Sequence, residues 1–185
     1  MSDLYANPWK KLGSEIVYRN KWYAVRRDEV ITPDGKPGEY NVVDQTDAVF
    51  VVPVDTDGNV CLVGMYRYTT DVYSIEVPAG NTDGGEPLSA AQRELQEETG
   101  YRADTWKPLG KFQCSNGFLN SYGHVFLATG LTNTKQHEQE AEGIKELRHV
   151  PFKKVLAMIH AGEITDCQSI AAIQFAAFEL GYVKG

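Results

Sequence analysis

Apolar and polar residues alternate through SEIVYRN and KWYAVRRDEVI, the spacing of half-exposed strands, and Asn20-Lys21 between them and TPDGKPG after them carry turn residues. Trp9 to Val43 therefore reads as a strand-rich section forming a small antiparallel sheet. The pattern changes near Asp47. AVFVVPV and VCLVGMY are continuous apolar runs joined by DTDGN, which predicts two core strands buried on both faces and linked by a hairpin turn. Leu88, Ala91 and Leu95 recur at helical spacing and predict a helix from Leu88 to Thr99 with those residues on the core. Beyond it, WKPLGKFQCSNGFLNSYGHVFLATGL reads as two strands around an SNG turn, and IKELRHV as another strand. The C-terminal portion holds two helical patterns broken at Ala161-Gly162. Val155, Met158 and Ile159 stripe the first and Ile170, Ile173, Phe175 and Phe178 the second, all read as packing. This order of elements predicts a mixed α and β domain.

The predicted helix carries chemistry as well as a core face. An α-helix turns once in about 3.6 residues, so Glu94 lies beside both Glu97 and Glu98 and three carboxylates share a face. Like charges so placed destabilise a helix by about 0.2–0.5 kcal/mol per pair. For an isolated ExxEE the ordinary explanation is a solvated face with Arg93 and Glu97 as an ion pair. A hard divalent cation is the alternative, since magnesium is commonly shared between a few carboxylates and substrate phosphates, and a glycine-rich loop leads into this helix.

Composition narrows the possibilities. The 185 residues, 42% hydrophobic, suffice for one well-buried domain with a small appendage. A net charge of −7 argues against a nucleic-acid backbone or an anionic membrane as partner, and leaves a phosphate-bearing substrate needing metal ions to screen it. Cys61, Cys114 and Cys167 are widely spaced and unpaired in pattern, so they are expected to be small buried hydrophobes. His124, His137, His149 and His160 suggest no imidazole cluster. The N-terminus lacks an apolar leader pattern and the longest apolar run, Ala48 to Val54, is too short to span a bilayer, so a cytoplasmic location is expected.

The stretch SIEVPAGNTDGGEPLSAAQRELQEETGY resembles the Nudix hydrolase signature: Gly, five residues, Glu, seven residues, then Arg-Glu-aliphatic-any-Glu-Glu-any-Gly-aliphatic. Gly80, Glu86 and Arg93-Glu94-Leu95-Gln96-Glu97-Glu98-Thr99-Gly100-Tyr101 match it in order. Only six residues, Pro87 to Gln92, separate Glu86 from Arg93; the shortening falls where Pro87 can start the helix. LVGMYRYTTDVYSIEVPAG further resembles the ADP-ribose pyrophosphatase branch, with Met65 in place of Gln and, later, Asn116 in place of Pro.

This resemblance implies an α/β fold, a Nudix-type α/β/α sandwich with a mixed sheet (residues 45–185) preceded by the small antiparallel N-terminal sheet (residues 1–44). In that branch the N-terminal strands take part in a homodimer that helps enclose the substrate. It implies Mg2+, replaceable by Mn2+, held by Glu94, Glu97, Glu98, the Ala79 carbonyl and Glu142, with Glu140 as general base, although Glu138, Glu140 and Glu142 compete for the last two roles. Arg67 would grip the diphosphate, a role its planar donor fork suits, and Arg93 would orient Glu97 or a neighbouring carboxylate. Glu76 in the EVPAG lead-in, Gly80 and Trp22 complete the candidate substrate contacts; Trp22 and Tyr23 could stack a base or serve core or dimer packing. The implied reaction is hydrolysis of a nucleoside diphosphate sugar such as ADP-ribose to a nucleoside monophosphate and a sugar phosphate. GDP-mannose, NADH, dinucleoside polyphosphates and oxidised nucleotides stay open as substrates. So do a non-hydrolytic nucleotide-sugar sensor and a partner-binding domain with an incidental acidic helix.

Overall fold

The structure, a computed structural model, describes residues 5–183. They fall into two units: residues up to Thr46 together with Gln113–Ser121, and Asp47–Phe112 together with the residues from Tyr122 onward.

In the first unit, β1 (Lys10–Arg19), β2 (Tyr23–Ile31) and β3 (Pro37–Gln45) form an antiparallel sheet. The β1–β2 turn is held by Asn20, whose Oδ1 accepts from Trp22 N at 2.8 Å and Tyr23 N at 2.9 Å, the local bonding that makes Asn a turn residue. A later two-residue strand, β9 (Leu119–Asn120), pairs parallel to β3. This attaches Gln113–Ser121 to the N-terminal unit, whereas the sequence pattern assigns that stretch to the larger domain. One expectation changes. β1 is not half-buried: Leu12, Ile16, Val17 and Tyr18 are all exposed, on an edge strand that among the described residues pairs with β2 alone.

The second unit contains β4 (Ala48–Val54), β5 (Asn59–Arg67), β6 (Val72–Glu76), β7 (Ala79–Asn81), α1 (Pro87–Thr99), β8 (Tyr101–Gln113), β10 (Tyr122–Asn133), β11 (Ile144–Pro151), α2 (Phe152–His160) and α3 (Cys167–Glu179). Its mixed sheet has the order β11-β5-β4-β10-β8, with β6 on β5 and β7 on β4. β4 and β10 run parallel, β11 and β5 antiparallel. Because strand side chains alternate faces, the apolar run of β4 is shared between two cores. Val49 and Val51 pack with Phe126 and Ala128 against Ala90, Ala91 and Leu95 of α1. Phe50, Val52 and Val54 pack with Val125 and Leu127 against α2 and α3. This is an α/β/α sandwich, the architecture anticipated for this region.

The helix α1 starts and stops where its residues dictate. Glu86 is its N-cap, accepting from Leu88 N at 2.8 Å, and Pro87 occupies the first turn, where a missing N–H is harmless. Gly100 ends it in the left-handed region at φ 74°. At the C-terminal end, Phe178 departs from the expected stripe: it is 55% exposed, and Ala172, Ala176 and Ala177 take the buried positions around Ile173. Of the cysteines only Cys61 is buried as expected, while Cys114 is partly buried and Cys167 exposed. Among the described residues no helix is long and apolar enough to cross a membrane.

Candidate active site

β7 lies on β4 through the pairs Ala48↔Asn81, Val49↔Gly80 and Phe50↔Ala79, and α1 packs its acidic face on this short strand. Glu94 is 7% and Glu98 4% exposed. The face expected to point outward into a cleft is therefore buried at two of its three carboxylates, and Glu97 alone reaches solvent in part. Ala79 N–H donates to Glu98 Oε2 at 3.0 Å. The Glu94 carboxylate fills the space where a side chain on residue 80 would be, since a Cβ on Gly80 would meet Glu94 Oε1 at 2.0 Å. Gly80 is thus required by close approach.

Burial governs the electrostatics. It pushes Glu98 up to about 8, and the nearby charges of Glu94 and Glu142 add to the effect, while the Ala79 N–H and the charge of Arg67 oppose it. Burial likewise raises Glu94, with Glu97 and Glu142 acting in the same sense and Arg93 opposing. Arg93 brackets this group: Nη1 donates to Glu97 Oε2 at 2.8 Å, and Nη2 reaches Glu94 Oε1 at 2.8 Å and Asn81 O at 2.9 Å. Glu98 has no ion pair among the described residues.

Arg67 and Glu76 come together across the β5–β6 hairpin. Arg67 Nε donates to Glu76 Oε1 at 2.8 Å and Nη2 to Oε2, a bidentate pair. Burial alone would raise Glu76, but the bonds from Arg67 and Ser74 hold it below the usual carboxylate range. The loop before β11 carries Glu138, Glu140 and Glu142, all exposed. Glu138 N donates to Glu97 O at 2.7 Å, which ties the loop to the end of α1. A cleft of about 500 Å³ is lined by Arg93, Gln96, Glu97, Gln136, His137 and Glu138, and one of about 490 Å³ by His137, Glu138, Glu140 and Ala141. Ala79, Gly80, Arg93, Glu94, Glu97 and Glu98 thus form one cluster, with Glu142 near enough to act on two of its carboxylates. Trp22 belongs to the first unit, where it is 60% exposed at the β1–β2 turn under Lys21 Nζ; it is not a core residue.

The donor set suits a hard cation: buried carboxylate oxygens of α1 that repel one another, packed on a strand whose backbone approaches them. Among the described residues no three acidic, histidine or cysteine side chains converge in ligand geometry; Arg93 and the Ala79 N–H take their oxygens instead. Two contributors escaped sequence reasoning. Ser169 on α3, 1% exposed, accepts from Val77 N at 3.1 Å and so anchors the segment leading to Ala79. Gln139 donates to Glu98 O at 3.0 Å. Neither belongs to a motif.

Residues 44–167 match the NUDIX domain, and residues 9–43 match the nucleoside diphosphate sugar hydrolase N-terminal domain. The chain belongs to the Nudix family. It is similar to the ADP-ribose pyrophosphatase of Mycobacterium tuberculosis, 33% identical over 170 residues that cover 89% of this chain and 81% of the relative. It is also similar to the ADP-ribose pyrophosphatase of Bacillus subtilis, 30% identical over 168 residues covering 90% and 91%. A solved structure titled as that of an ADP compounds hydrolase superposes with a TM-score of 0.82 over 94% of this chain and 95% of its own, at 22% identity, and shows the shared fold.

Proposed function

We propose that this protein is a divalent-cation-dependent pyrophosphohydrolase of nucleoside diphosphate sugars, with ADP-ribose as the leading substrate and Mg2+ or Mn2+ as the cation. The observation that carries the reading is the pair of buried carboxylates, Glu94 and Glu98, adjoining the Ala79–Gly80 backbone, with no ion pair to Glu98 among the described residues. Burying carboxylates side by side is costly unless a charge compensates them. The likeness to two ADP-ribose pyrophosphatases supports the substrate class.

Glu94, Glu97, Glu98, the Ala79 carbonyl and Glu142 would hold the cation. When bound, it polarises a phosphoryl oxygen and lowers the pKa of the attacking water. Arg67, whose Nη1 is left over from its pairing with Glu76, holds the diphosphate. Arg93 fixes Glu94 and Glu97 in place. Glu140 accepts the proton as water attacks one phosphorus; the P–O–P bond breaks, and a nucleoside monophosphate and a sugar phosphate leave. The first unit is proposed to pair with a second copy through β1, whose exposed Leu12, Ile16, Val17 and Tyr18 offer an apolar edge, and Trp22 to contact the base. A cytoplasmic location goes with this reading.

Chromatographic assay of ADP-ribose, GDP-mannose, NADH and a diadenosine polyphosphate, with Mg2+ and with chelator, tests the proposal. ADP-ribose is expected to be cleaved fastest and only with metal. Preference for NADH or the dinucleotide would overturn the substrate class, and failure to cleave any of them would favour a sensor.

A further inference from the structure

The last carbonyls of a helix run short of partners within it; here the C-cap residue Gly100 serves Gln96 O, and the loop before β11 serves the carbonyls that follow. Gln96 O accepts from Gly100 N at 2.8 Å, Glu97 O from Glu138 N at 2.7 Å, and Gly100 O from Thr134 N at 2.8 Å. Glu98 O accepts from the side chain of Gln139, Nε2 lying 3.0 Å away. Gln139 is held at a second point, because its own carbonyl accepts from Ile144 N at 2.9 Å, the first residue of β11. Between these two anchors hang Glu140 to Gly143. Gln139 is partly buried while the glutamates on either side of it are exposed.

We infer that Gln139 is a positioning residue: its amide registers the loop bearing Glu140 and Glu142 against the backbone of Glu98, and so sets where those carboxylates stand relative to the buried pair. The inference rests on the proposed roles of the loop glutamates. Gln139 suits the task because it offers an N–H to a carbonyl at the negative end of a helix, reaches that carbonyl from the loop, and adds no charge among the glutamates of the loop and helix. A loop tied by one side chain to the element that carries the other half of a site has its functional groups placed by that bond. The other ties of the loop, Glu138 N to Glu97 O, Glu142 N to Glu138 O at 3.0 Å and Ile144 N to Gln139 O, are backbone bonds, so the Gln139 amide is the one a substitution at residue 139 removes.

Three variants separate positioning from folding. Gln139→Met keeps length and removes the donor; turnover of ADP-ribose is expected to fall about tenfold with KM unchanged within about twofold, since small misplacements of reacting groups cost rate more than binding. Gln139→Lys restores a donor to the carbonyl and is expected to recover turnover to within about threefold of wild type, whereas Gln139→Glu, which offers only acceptors, falls below the Met variant. In the metal-free protein, amide exchange at Glu138 and Ile144 is expected to quicken in the Met variant and not in the Lys variant. Finally, in whichever of Glu140→Gln and Glu142→Gln is impaired, adding Gln139→Met is expected to cost little more, a non-additivity that marks shared function. Wild-type turnover in Gln139→Met beside an impaired loop-glutamate variant overturns the inference alone, as does a Lys variant no better than Met. Wild-type turnover in both loop-glutamate variants overturns the roles on which it rests.

Discussion

Glu98 shows how much a single carboxylate's surroundings decide. Its neighbours in the sequence, Glu94 and Glu97, mark the acidic face by spacing alone, and the same spacing predicts Arg93 beside Glu97, as found at 2.8 Å. What spacing does not convey is depth: Glu98 is 4% exposed, because β7 folds back over the face that looks polar in one dimension. The Arg67–Glu76 pair was equally hidden, since the β5–β6 register sets Arg67 opposite Val72 and Glu76 opposite Val63, and the long arginine side chain reaches along the hairpin to meet the carboxylate. The depth has a pH consequence. Burial raises Glu98 from 4.5 to about 8, so across that interval the folded protein keeps a proton that the unfolded chain releases. The Glu98 contribution to stability is therefore fully present at the acid end of the window and is lost as pH rises through 8. Thermal melts of metal-free protein between pH 5.5 and 8.5 should show wild type losing stability relative to Glu98→Gln as pH rises. Divalent cation should reverse this at the alkaline end, since it favours the ionised carboxylate. A difference between the two proteins that does not change with pH would remove the buried carboxylate from the account.

At the scale of elements, α1 and β7 were differently legible. The helix could be read in advance because its limits are local: Glu86 caps it, Pro87 begins it and Gly100 ends it at φ 74°. The six-residue interval between Glu86 and Arg93 is absorbed at this junction, leaving the helix regular. The three-residue strand β7 has no periodicity to read, yet it supplies the surface against which the acidic face is buried. Its Gly80 is required by contact, with a Cβ placed 2.0 Å from Glu94 Oε1. Gly80→Ala should displace the Glu94 carboxylate, lower turnover by about tenfold or more, and weaken Mn2+ binding in calorimetry, because misplaced groups at a site cost rate steeply. Unchanged Mn2+ affinity in that variant would show that Glu94 does not need its observed position. Phe178 illustrates the opposite limit: an apolar residue at helical spacing, exposed because small alanines line the buried side of α3.

On the scale of the whole molecule, the change from alternating to continuous apolar patterns lies near Asp47, the residue at which the second unit begins. The return of Gln113–Ser121 to the first unit was not legible in the sequence, because the two residues of β9 carry no pattern and their parallel pairing with β3 is a tertiary event. The exposure of β1 was missed for a related reason: alternation predicts a half-buried strand only when something covers one face. A second copy is the proposed cover. Sedimentation at micromolar protein should give a dimer, and Ile16→Lys with Val17→Lys should give a folded monomer; a monomeric wild type would remove the dimer.

The buried acidic cluster is proposed to hydrolyse a diphosphate with the help of a divalent cation. The most direct test is the rate of AMP release from ADP-ribose as Mg2+ is titrated, for wild type and for Glu97→Gln and Glu98→Gln. Wild type should release AMP and ribose phosphate one to one, saturably in Mg2+ and not at all with chelator. Each variant should be folded but slower by on the order of a hundredfold or more, as expected when transition-state charge stabilisation worth several kcal/mol is withdrawn. AMP release that persists in chelator, or near-wild-type turnover in both variants, would rule out metal-dependent hydrolysis by this cluster.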